Sequence, residues 1–104
     1  MKYCFLVFVI ALLSPISYGL DCVGIQVDAI QAQKSNVLVH IIKPGEWGAW
    51  KNLGAYDQPH LVSYQSIAQQ ALATGASIRL RFENDHVCSE TDYGTVPYMI
   101  RIEE

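Results

Sequence analysis

The sequence predicts a mainly β protein with one helix, a small five-stranded OB-like barrel in the order β-β-β-α-β-β. Three observations predict it. Short segments rich in Val, Ile and Leu alternate with polar residues at a period of two. A single stretch near Ser63 switches to helical spacing. That stretch falls between the third and fourth strands, where an OB barrel carries its helix.

In chain order, Val23, Ile25 and Val27 alternate with Gly24, Gln26 and Asp28, which gives a strand with one buried face. Parity slips at Ala29–Ile30, so a bulge is expected there. "KSN" turns the chain, and Val37 to Ile42 form a β-branched second strand. Pro44 and Gly45 fit the central positions of a type II turn, because proline presets the first φ and glycine accepts the positive second one. "WGAWKNLG" is a third strand with poor periodicity. Trp47 and Trp50 are three apart, so a regular strand puts them on opposite faces, unless Gly48 bulges it.

After the loop "AYDQPH", the residues Tyr64, Ile67, Ala68, Ala71 and Leu72 follow helical spacing, with Gln65, Gln69 and Gln70 opposite. Ser63 is the expected N-cap and Gly75 the left-handed stop. In "SIRLRF", Ile78, Leu80 and Phe82 point inward and Arg79 and Arg81 outward. In "PYMIRIE", Tyr98, Ile100 and Ile102 share one face.

The N-terminus bears on the compartment. Lys2, the apolar run from Cys4 to Leu13, Pro15, and the small residues Ser17 and Gly19 have the three regions of a secretory signal. The run is shorter than the roughly 20 residues a membrane span needs. Residues 1–19 are therefore expected to be removed, leaving a single OB-like domain over residues 20–104. Leu20 and Asp21 before Cys22 do not suit lipidation, so no stable membrane anchoring is expected after cleavage. The expected location is secreted or periplasmic.

Cleavage removes Cys4 and leaves Cys22 and Cys88, an even pair in an oxidising compartment, which favours a disulfide. Its closed loop of about 65 residues would be worth roughly 4 kcal/mol in the chain-entropy picture. The remaining Lys34, Lys43, Lys51, Arg79, Arg81 and Arg101 face ten acids, which disfavours a nucleic-acid partner.

"ENDHVCSETDYG", Glu83 to Gly94, gathers acids, a histidine and a cysteine. Asp85, His86, Cys88 and Glu90 could in principle ligate a metal. Zinc sites, however, show paired ligands at recurring spacings, and no second cluster exists. The loop is read as structural, pinned by Cys88, with no metal or cofactor. No G-x-S-x-G elbow surrounds a serine and no phosphate-cradling glycine loop is present, so the chain is read as non-enzymatic.

Trp47, Trp50 and Tyr56 cluster with Gly48 and Gly54, and His60 follows nearby. Exposed aromatics stack on sugars or fill partner pockets, although a domain this small is expected to bury one of the two tryptophans. Arg79 and Arg81 form an outward basic pair able to meet a carboxylate bidentately. Trp47, Trp50, Tyr56, His60, Arg79 and Arg81 are therefore the candidate binding residues.

With its signal, early cysteine and strand order, the helix-to-strand segment "QQALATGASIRLRF" followed by Cys88 resembles AB5-toxin B subunits of the subtilase-cytotoxin and typhoid-toxin group. That resemblance implies a secreted, disulfide-bonded OB fold, and it carries over no individual sugar-contact residue. The segment "CSETDYGTVPYMIRI" is also similar to small secreted proteobacterial proteins of unassigned function. The expectation is a non-enzymatic binding module with a glycan or protein partner, open to homo-oligomerisation. The alternative is a small inhibitor or immunity-type partner of a secreted enzyme.

Overall fold

A computed structural model describes residues 19–104. The expected signal segment, apart from Gly19, lies outside the described residues. The chain runs through β1 (Leu20–Ala32), β2 (Asn36–Lys43), β3 (Trp47–Ala55), α1 (Leu61–Thr74), β4 (Ser77–Phe82) and β5 (Met99–Glu103). This is the β-β-β-α-β-β order. All neighbours pair antiparallel in one sheet, ordered β3-β2-β1-β4-β5. β3 and β5 are the edges of this order, and no ladder joins them among the described residues. The loop after β4 runs along the β3 edge instead. There the Asp92 amide donates to Trp50 O at 3.0 Å, and Thr91 Oγ1 accepts from the Trp50 amide at 3.1 Å.

Parity explains the core. Ile25, Val37, Val39, Ile41, Leu53, Ile78, Leu80 and Phe82 are fully buried, and α1 adds Leu61, Ala68 and Ala71 to them. Each large aliphatic side chain sealed this way contributes about 1.5–3 kcal/mol relative to exposure. α1 packs against β1, β3 and β5, so it covers the sheet face that these residues share. No helix among the described residues is long and apolar enough to cross a membrane.

Local chemistry sets the turns. Gly45 has φ +78° and the Glu46 amide donates to Lys43 O at 2.8 Å, as a type II turn at Pro44–Gly45 requires. Gly75 caps α1 at φ 74°, its amide donating to Ala71 O. The disulfide joins Cys22 in β1 to Cys88 in the loop after β4, with Cα atoms 5.7 Å apart.

Several details differ from expectation. The β1–β2 register shifts between Val27 and Ala29, just before the expected bulge, and a second shift against β4 lies between Cys22 and Ile25. β3 has no bulge at Gly48; its register against β2 is continuous from Trp47 to Asn52 and shifts only at Leu53. α1 starts at Leu61 after His60, without a side-chain cap, because the loop backbone already turns there and Ser63 lies inside the first turn. Leu72 and Tyr98 are exposed rather than inward, Tyr98 because β5 begins one residue later, at Met99.

Candidate functional site

The irregularity of β3 has one cause. Trp47, Ala49, Lys51 and Leu53 all take inward positions, and one of the four is a lysine. Lys51 is 0% exposed. Its Nζ donates to Glu90 O at 2.6 Å and to Val87 O at 3.1 Å, and pairs with His86 Nε2 at 2.8 Å. An ammonium has three donors, so a protonated Lys51 satisfies both carbonyls and makes His86 Nε2 the third acceptor. The Phe82 ring face, centred 5.5 Å away, adds a cation–π contact. Burial pulls Lys51 below the ordinary lysine value, while Asp92 and Glu90 pull the other way.

His86 is the second part of the arrangement. Its ring stacks on Phe82, centroids 3.7 Å apart, and its side chain is only 4% exposed. Because Nε2 accepts from Lys51, the network assigns the proton to Nδ1, which faces Asp92 Oδ2 at 3.8 Å. Burial and then the Lys51 charge hold the imidazole below its usual value, opposed by Asp92, Asp85 and Glu90. Asp92 is held below the usual carboxylate range by the Gly94 N–H and by Thr95. The loop expected to be pinned by Cys88 is thus held a second time, by Lys51.

On the opposite face of β3 lies a groove of about 420 Å³, lined by Gln31, Gln33, Leu38, Trp50 and Tyr93. β3 supplies Trp50 as one wall, and the Lys51-held loop supplies Tyr93 as the other. Asn52 Nδ2 donates to Tyr93 O at 2.9 Å and fixes that wall in place. Tyr56 donates its hydroxyl to Gln33 O at 2.6 Å, on the backbone of one of the lining residues. Beside Trp50 the His40 ring lies 4.9 Å away, and its Nδ1 meets Asp28 Oδ1 at 2.5 Å. Gly48 makes room for it: a Cβ there would stand 2.9 Å from His40 Cε1.

The six residues singled out from sequence do not converge. Trp50 lines the groove, and Tyr56 touches it only through its hydrogen bond to Gln33 O. Trp47 packs against the core from the inner face. His60 Nε2 donates to Leu53 O at 3.0 Å, and its ring meets Tyr64 at 4.5 Å, which joins α1 to β3. Arg79 and Arg81, on β4, already hold a carboxylate of their own chain. Arg79 Nη1 donates to Asp21 Oδ2 at 2.9 Å, Arg81 Nε to Asp21 Oδ1 at 2.7 Å, and Arg79 Nε also reaches Glu103 at 3.2 Å. The paired guanidinium hydrogen bonds, Arg81 first, lower Asp21 to about 2.

Sequence reasoning missed Lys51, His86 as its acceptor, and Tyr93. The available signal was parity: a lysine at an inward position of a strand needs acceptors, and the nearby loop is rich in them. A cavity of about 480 Å³ in that loop carries Glu83, Asp85, Glu90 and Asp92 around His86. Among the described residues no group of three or more His, Cys, Asp or Glu has a geometry that could hold a metal ion. No family model matches this chain, and no curated protein sequence matches it either.

Proposed function

We propose that this chain is a secreted or periplasmic, non-enzymatic binding module that seats an uncharged sugar ring of a glycan between Trp50 and Tyr93. The observation that carries the reading is the composition of the groove: two aromatic rings, two carboxamides and no charged side chain. Aromatic faces stack on apolar sugar faces, and carboxamides both donate to and accept from hydroxyls. The disulfide suits an oxidising compartment. Lys51, the side chain with the most activated surroundings, is sealed from solvent, which supports binding over catalysis.

A second reading rests on the other side of the loop. Four carboxylates within ten residues suit a basic protein surface, as a small inhibitor or immunity-type partner would require. A glycan array probed with wild type, Trp50→Ala and Tyr93→Ala tests the first reading. Binding to neutral glycans that both substitutions abolish is expected. A silent array together with tight one-to-one capture of a basic enzyme would favour the second.

A further inference from the structure

We propose that Lys51 and His86 form an acid-sensitive latch that positions the Tyr93 wall of the groove, so that ligand binding weakens when His86 is protonated. The inference rests on the groove reading above and adds regulation to it.

The latch ties three loop positions to one strand residue. Lys51 holds Val87 O, Glu90 O and His86 Nε2 at once. The backbone that follows Glu90 pairs with Trp50 through Thr91 and Asp92, and the next residue is Tyr93. The groove wall is therefore placed by the segment after the Lys51 contacts together with the Asn52–Tyr93 O hydrogen bond. The Cys22–Cys88 bond keeps the start of this segment tethered whatever happens to the latch. His86 and Val87 precede that anchor and Glu90 follows it, so the part of the loop that carries Tyr93 is released only through the Lys51–Glu90 contact, which the loss of the His86 acceptor loosens.

Protonation acts at Nε2. An imidazolium has two N–H donors and no acceptor, so it cannot receive the Lys51 proton. It would also place a second positive charge 2.8 Å from the first in a water-poor site. The groups that face the ring are Lys51 from β3, the uncharged Phe82 ring from β4, and Asp92, Asp85 and Glu90 from the loop, with Glu83 on the same cavity. These carboxylates soften the repulsion but cannot restore the lost acceptor. Released into water, His86 takes up its proton more readily than when latched, in keeping with the depressed value its burial and Lys51 produce. Acid therefore favours the open loop.

The test is amide hydrogen exchange on the mature protein between about pH 7.5 and about pH 5, where imidazoles titrate, corrected for intrinsic exchange rates. Trp50 fluorescence is unsuitable, because His40 lies against that indole. The Asp92 amide should lose protection by up to about tenfold per pH unit between the latched and free pKa values of His86, because opening takes up one proton. Amides of β2 should keep theirs. His86→Gln keeps an acceptor for Lys51 and does not titrate, so its Asp92 protection should stay flat. Unchanged protection in wild type, or an equal fall in His86→Gln, overturns the latch. Should His86→Gln not fold, Asp92 protection in wild type must begin to fall near the free imidazole value and level off where the His86 ring shift titrates; a fall outside that window overturns it. A glycan array at both pH values keeps the two readings apart. Acid-dependent protection with no glycan binding at either pH refutes the groove and upholds the latch. Glycan binding with pH-independent protection refutes the latch and leaves the groove.

Discussion

Lys51 Nζ and His86 Nε2 lie 2.8 Å apart, and through this contact an inward-facing strand residue holds the loop that completes the neighbouring groove. Lys51→Met removes all three donors while preserving most of the volume. It leaves Val87 O, Glu90 O and His86 Nε2 without their partner, at about 1–3 kcal/mol for each acceptor that stays buried. The expected result is a lower unfolding midpoint together with loss of Asp92 amide protection at neutral pH. Full protection in a folded variant would contradict it.

The disulfide anchors the same loop from its other side. Cys88→Ala should destabilise the domain by about 2–5 kcal/mol, as removal of a native disulfide does in small secreted domains. Wild type in reductant should melt at a correspondingly lower temperature. Equal melting temperatures with and without reductant would show that the bond carries no stability.

The two tryptophans should separate by phenotype. Trp47 packs on the core, so Trp47→Ala should lower stability, by less than the about 3–5 kcal/mol of a fully buried tryptophan because its ring is only partly covered. Trp50→Ala should retain most stability and lose more than about 2 kcal/mol of binding, roughly thirtyfold in affinity. Denaturation and binding isotherms on both variants check this. The reverse pattern would move the recognition surface to the inner face.

Acid should act in two windows. His86 is depressed in the folded state, so its contribution is complete above its unfolded value of about 6.5 and declines as pH falls through the folded one. Asp21 is lowered to about 2 by Arg81 and Arg79. Its contribution is complete above the unfolded value of about 3.9 and is lost as pH falls through the folded value. Asp21→Asn should be less stable at neutral pH and should flatten the lower window only. Urea midpoints measured across pH provide the check.

Where the sequence obeyed a simple period, it was legible. Strict alternation in β4 and the Pro44–Gly45 turn are observed as expected, as is the left-handed stop at Gly75, because each depends on local chemistry alone. β3 was hard to read because Lys51 occupies a core position, and hydropathy cannot distinguish a buried ammonium from an outward one. The docking of the loop after β4 on the β3 edge was not legible, since it depends on pairing between residues about 40 apart in sequence. Trp50, which lines the proposed groove, was singled out by composition. Tyr93 was passed over because its role comes from the long-range contact of its loop with Asn52 and Trp50. Arg79 and Arg81 were seen as a pair, but their partner Asp21 lies 58 and 60 residues away in sequence.

The central claim is that Trp50, and not Trp47, meets the ligand. The most direct measurement follows the two indole N–H resonances of the mature protein while a neutral oligosaccharide taken from the array hits is added. The Trp50 signal should shift and saturate, and the Trp47 signal should stay in place. Equal movement of both, or a stationary Trp50 under saturating ligand, would contradict the account.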